Sequence, residues 1–145
     1  ELDTIPTVNE LGIGFVSYYA LGRGFFAGVV RALSDLGEKD GRRKAPRFSA
    51  ENLDHNARLL GELEKLARVK RITLAQLSLA WILHQGESFV PIPGTHRISH
   101  LEENIGAADI SLTSDELVQI DRLFPRQGAV AGARHDYDRS KELNI

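Results

Sequence analysis

Ile5, Val8 and Leu11 recur at helical spacing behind Asp3 and Thr4, and Gly12 supplies a C-terminal stop, so the chain opens on the end of a helix. Past Gly14, the run Phe15 to Tyr19 is aromatic and β-branched and is closed by Leu21, Gly22, Arg23 and Gly24, which predicts a buried strand followed by a glycine loop. Val29 to Phe48 has no period; its charges, Gly37, Gly41 and Pro46 predict a long solvated loop. Leu53, Ala57, Leu60, Leu63 and Leu66 then repeat on one face, with Ser49 as N-cap and Glu51 in the first turn, predicting a helix over about 50–69. Thr73 and Gln76 form a reciprocal capping box ahead of Leu74, Leu77 and Trp81, a helix extending toward Gly86. Phe89 to Pro93 predicts a short strand ending at Gly94, its prolines removing two donors. Ser99 with Glu102 predicts the next helix start, and Thr113 with Glu116 another that runs through Leu117, Ile120 and Phe124 to Pro125. The last twenty residues are rich in Gly, Ala and charge, a mobile tail.

Strands alternating with amphipathic helices predict an α/β fold with parallel pairing and right-handed crossovers. Two strands can neither close a barrel nor shield their own edges. The expected architecture is therefore the C-terminal portion of a (β/α)8 TIM barrel, incomplete over this sequence, since such a barrel needs about 250 residues. Residues 1–125 would form the barrel portion and 126–145 the tail.

Composition narrows the class. The 145 residues are 42% hydrophobic and 26% charged, with a formal net charge of -2, which gives no electrostatic drive toward nucleic acid. No apolar run nears the roughly 18 residues of a membrane span, and the N-terminus lacks the order of a signal peptide. With no cysteine there is no disulfide framework or thiolate, which fits a reducing, cytoplasmic setting. With no methionine, Glu1 is expected not to be a translation start, so the polypeptide is processed or part of something longer.

Two stretches bear candidate chemistry. In Val90-Pro-Ile-Pro-Gly-Thr-His-Arg97, a glycine turn at a strand's C-terminal end precedes a helix N-terminus, and Thr95 and Arg97 add a hydroxyl and a forked cation, a set suited to a phosphomonoester. The competing reading is an ordinary strand-to-helix turn with solvated polar groups. Leu21-Gly-Arg-Gly24 offers an anion nest or a plain flexible loop. Neither is a Walker loop or a dinucleotide fingerprint, but both fall where barrels recurrently hold phosphates. His96, His100 and Glu103 have the i, i+4, i+7 spacing of a His2Glu metal face, yet a helix beginning at Ser99 leaves His96 outside it, so no metal site is assigned. Arg42, Arg43, Lys44 and Arg47 read as a solvated basic run among Glu38, Asp40 and Glu51, and Trp81 as a core residue.

These stretches together resemble a known family. Glu10 to Phe26, Phe48-Ser-Ala-Glu-Asn52, Ala75 to Leu83, Val90 to Arg97 and Leu101-Glu-Glu-Asn104 are similar to the C-terminal half of an aldo-keto reductase, a resemblance covering essentially Leu2 to Gly132. It implies an NADPH-dependent oxidoreductase barrel that reduces aldehydes and ketones to alcohols, with the seventh and eighth strands here. It implies that Leu21, Gly22 and Arg23 lie along the pyrophosphate and nicotinamide ribose, that Gly94, Thr95 and Arg97 face the 2′-phosphate, that His100 stands near it, and that Glu103 and Asn104 contact the adenosine. The family's usual Tyr-Ser-Pro-Leu-Gly reads Tyr18-Tyr19-Ala20-Leu21-Gly22 in this chain, and His100 replaces a common arginine. The family's catalytic Asp, Tyr, Lys and His lie on earlier strands with no counterpart motif here; Tyr18, Tyr19 and Tyr137 do not match by position. No catalytic residue is assigned, and this segment alone is expected not to turn over a carbonyl substrate. Its expected partners are the missing N-terminal half or a second copy; the alternative is an inactive cofactor-binding, regulatory or self-associating module. Arg134, His135, Asp136 and Tyr137 either cover the substrate pocket or belong to a disordered tail.

Overall fold

The computed structural model describes residues 3–125 and 128–133. Among them five α-helices and two strands follow in the order α1 (Thr4–Glu10), β1 (Phe15–Ser17), α2 (Ala50–Lys70), α3 (Leu74–Leu83), β2 (Phe89–Pro91), α4 (Ile98–Ile105) and α5 (Ser114–Leu123). The strands pair in parallel, with Phe15 opposite Phe89, Val16 opposite Val90 and Ser17 opposite Pro91. This is the α/β arrangement expected of part of a (β/α)8 barrel.

Local signals account for the long helices. The Ser49 hydroxyl accepts the Asn52 amide at 3.4 Å to start α2, whose Leu53, Leu60, Leu63 and Leu66 are buried on one face. Thr73 and Gln76 exchange two hydrogen bonds of 3.1 Å at the start of α3, and Thr113 and Glu116 exchange 3.3 and 2.8 Å bonds at the start of α5. In α3, Leu74, Ala75, Leu77, Leu79 and Ala80 are buried, covering more than one face, because the helix packs against α2, α4, β2 and the 3₁₀ turn Gly106–Asp109. Trp81 packs half-buried against the core and donates Nε1–H to Asp121 at 3.0 Å.

Several expectations are corrected. Ser99 does not cap α4: the helix begins two residues earlier than such a cap would place it, with Arg97 at the N-cap position and no side-chain cap. The hydroxyl that matters is Thr95 Oγ1, which accepts the Arg97 amide at 3.2 Å and sets the entry into the helix. α3 stops at Leu83, short of Gly86. β1 ends at Ser17 because Tyr19 turns into the left-handed region at φ 53, and β2 ends at Pro91, although the Ile92 amide still reaches the Ser17 carbonyl at 3.1 Å.

The stretch from Val29 to Phe48 is no free solvated loop. It folds into 3₁₀ turns at Leu33–Asp35, Gly41–Lys44 and Pro46–Phe48, and buries Val30, Leu36, Ala45 and Phe48 in the core with Leu53, Leu60 and Leu77. The basic run holds it: Arg43 donates to the carbonyls of Leu33 (3.0 Å), Gly37 (2.9 Å) and Leu36. The expected tail mobility at 126–127 and 134–145, and the pocket-covering role of Arg134 to Tyr137, lie outside the described residues. Residues 128–133 themselves lie against α2, where fully buried Asn56 accepts the Ala131 amide at 2.7 Å and donates to its carbonyl at 3.1 Å.

Candidate functional site

Both candidate stretches leave the C-terminal ends of neighbouring parallel strands. The register that sets Ser17 opposite Pro91 therefore brings the turn at Leu21–Gly24 and the loop at Gly94–Arg97 to the same end of the sheet. In α/β folds with parallel sheets this is the end where ligands bind.

The first turn is built from left-handed residues in close succession: φ is 53 at Tyr19, 56 at Gly22, 59 at Arg23 and 90 at Gly24. Two of these are not glycine, so the turn stores backbone strain that surrounding contacts must hold. The Gly22 amide donates to the Tyr19 carbonyl at 2.8 Å, and the Gly24 and Phe26 amides donate to the Leu21 carbonyl at 3.0 and 3.1 Å. Those amides are spent inside the turn, which leaves the Arg23 guanidinium as its clearest group for an anion. It rests over the Tyr19 ring, 5.1 Å from the centroid, and the Tyr19 ring lies 4.9 Å from that of Tyr18.

The second loop is open. Gly94, Arg97, Ser99 and His100 are exposed, Thr95, Glu103 and Asn104 half-buried. The α4 N-terminus has no side-chain cap, so its first amides and positive dipole end remain available. Glu103 is tied back to α3, its carbonyl accepting Gln76 Nε2 at 3.1 Å. Among the described residues neither Arg23 nor Arg97 has an acidic partner, whereas Arg31 pairs with Glu64 and Arg42 with Asp40. Two unneutralised guanidiniums and an uncapped helix start are a donor set matched to a ligand with more than one phosphate. No group of three or more His, Cys, Asp or Glu converges to hold a metal ion among the described residues, and none of their helices is long and apolar enough to cross a membrane.

Asp40 is linked to the candidate turn through Arg42. Its carboxylate grips Arg42 through Nε (3.0 Å) and Nη2 (2.7 Å), and this contact, with the Arg42 amide, holds it down at about 2. The remaining Arg42 nitrogen, Nη1, donates to the Arg23 carbonyl at 2.9 Å. The Asp-x-Arg spacing was the sequence signal for the pair; its contact with residue 23 was not signalled.

Comparison with known proteins decides the family. The model of the Aldo/keto reductase family matches residues 1–124. The chain belongs to that family. It is 44% identical over 135 residues to probable aldo-keto reductase 1 of Glycine max, an alignment taking 93% of this chain and 38% of the relative. It is also 44% identical over 135 residues to the aldo-keto reductase yakc of Schizosaccharomyces pombe, whose name specifies NADP(+), covering 93% of this chain and 39% of that one. The chain thus spans less than two fifths of the length of either relative. The two parallel strands among the described residues fit part of the family's (β/α)8 barrel.

Proposed function

We propose that this chain supplies the cofactor-binding loops of an NADPH-dependent aldo-keto reductase, which reduces aldehydes or ketones once the rest of the barrel brings the family's catalytic Asp, Tyr, Lys and His. One observation carries the reading: the parallel register sets Arg23 and Arg97, both without acidic partners among the described residues, at one end of the sheet beside the uncapped start of α4. In it, Leu21, Gly22 and Arg23 line the pyrophosphate and nicotinamide ribose. Gly94, Thr95 and Arg97 receive the 2′-phosphate with His100 nearby, and Glu103 and Asn104 meet the adenosine. The chemistry supplied by the bound cofactor is hydride donation to a carbonyl carbon. This chain's part is binding and orientation; it contributes no proton donor.

The test is calorimetric titration of NADPH and NADH into the chain. Charged hydrogen bonds to the extra phosphate should make NADPH the tighter ligand by at least about tenfold, and Arg97→Ala should remove most of that preference. Equal affinity for the two, or no binding of either, would defeat the reading.

A second reading, a self-associating or regulatory module, is favoured by the open face of the sheet. Val16, Val90 and Ile92 are 59%, 50% and 51% exposed, and each strand has a single hydrogen-bonded neighbour among the described residues. In the first reading the remaining strands cover that face; in this one a second copy does. Sedimentation velocity decides: a concentration-independent monomer counts against self-association.

A further inference from the structure

We propose that Arg42, gripped by Asp40, is the positioning residue of the Leu21–Gly24 turn, fixing the peptide plane from which the Arg23 guanidinium is presented to the cofactor's phosphates. The inference rests on the reading of this turn as part of the cofactor site. It starts from the basic run, which the proposed function leaves unused.

Every donor on one side of the Arg42 guanidinium is committed. Nε bonds both Asp40 oxygens at 3.0 and 3.2 Å and Nη2 bonds one at 2.7 Å, while the Arg42 amide donates to Asp40 Oδ1 at 2.9 Å and closes the turn Gly41–Lys44. A planar fork held this way has one orientation left, with Nη1 aimed at the Arg23 carbonyl 2.9 Å away. That carbonyl belongs to the Arg23–Gly24 peptide, whose N–H donates to Leu21 at 3.0 Å, so both ends of one peptide plane are pinned. Pinning it fixes the left-handed Arg23 and the direction of its side chain. Gly24 is needed for the approach: a Cβ there would stand 3.3 Å from Arg42 Nη1, at φ 90. Arg43, the next residue in the run, serves other carbonyls, at Leu33, Leu36 and Gly37, and is an internal control.

The test uses the 145-residue chain with amide hydrogen exchange and NADPH titration, on Arg42→Gln, Arg42→Lys, Asp40→Asn and Arg43→Gln. Arg42→Gln should speed exchange at Gly24 and Phe26 and weaken NADPH binding, each about tenfold, with α2 and α3 unchanged. Arg42→Lys should behave like Arg42→Gln, because a point charge cannot both chelate Asp40 and reach residue 23. Asp40→Asn should loosen the same amides less. Arg43→Gln should leave NADPH affinity within about twofold of the unmodified chain. Unchanged exchange at Gly24 and Phe26 in Arg42→Gln would overturn the proposal. So would equal loss of NADPH affinity in Arg43→Gln, or general loss of protection across α2 and α3 in both Arg42→Gln and Asp40→Asn. If the unmodified chain takes no NADPH, the cofactor reading fails, and the exchange comparison still decides whether Arg42 sets the turn.

Discussion

Replacing Asn56 by alanine probes how the chain beyond α5 is held. Asn56 is fully buried and uses both amide donors and its carbonyl: Oδ1 accepts the Ala131 N–H at 2.7 Å, and Nδ2 donates to the carbonyls of Ala131 at 3.1 Å and Arg47 at 3.2 Å. Three bonds at about 1 kcal/mol each give an expected loss of about 3 kcal/mol. For a domain of this size that is a fall in Tm of roughly 6–15 °C. Gly132→Ala attacks the same strap independently, because a Cβ would sit 2.7 Å from Asn52 Nδ2, 2.7 Å from the Pro46 carbonyl carbon and 2.8 Å from the Arg47 nitrogen, at φ 83. Urea unfolding of both single variants and the double variant forms a cycle. If residues 128–133 dock as one unit, the first variant releases the strap and the second adds little, so the double loss falls at least about 1 kcal/mol short of the sum. A loss under about 1 kcal/mol for Asn56→Ala, or strict additivity, would refute the clasp.

Thr73→Ala and Thr113→Ala should each cost about 1 kcal/mol in urea unfolding, while Ser99→Ala, where no side-chain cap forms, should stay within about 0.5 kcal/mol. Glu116 is held below its ordinary value of 4.5, first by the hydrogen bond from Lys70 Nζ and then by the Thr113 amide; its folded value being the lower, its contribution is complete above 4.5 and is lost as pH falls through the folded value. Unfolding at a series of acidic pH values should therefore fall less steeply for Glu116→Gln, which keeps the capping box and lacks the charge. Trp81→Phe keeps the packed ring but loses the bond to Asp121, and should cost no more than about 1 kcal/mol by the same assay.

What could be read from the sequence was local. The starts of α2, α3 and α5 each rest on a hydroxyl and an amide three residues apart, and the buried leucines of α2 recur with the helical period, so both signals sit within a few residues of each other. Ser99 with Glu102 shows how such a signal fails: the pattern was present, but Thr95, two residues ahead of the N-cap, took the backbone N–H that sets the helix start. The segment 29–48 departs from its local pattern for the opposite reason. Val30, Leu36, Ala45 and Phe48 are buried at spacings that match neither a helix nor a strand, and only tertiary packing makes sense of them.

Along the chain the basic run has the pattern of a solvated surface, because charges crowd together with no apolar period. In the fold those arginines add side-chain hydrogen bonds to the carbonyls of irregular segments, two of which, at Leu33 and Gly37, also accept a backbone amide. Arg43 serves carbonyls at 33, 36 and 37, Arg42 the carbonyl at 23, and Arg47 Nε the carbonyl of Gly132 at 3.2 Å. A buried carbonyl without a ladder partner is costly, and a guanidinium can answer several from one side chain while its aliphatic stem stays packed. Three neighbouring residues thus tie together the candidate cofactor turn, the 3₁₀ segment and the strap on α2. The contacts span 19 residues in one direction and 85 in the other, distances at which no periodicity or motif could have announced them.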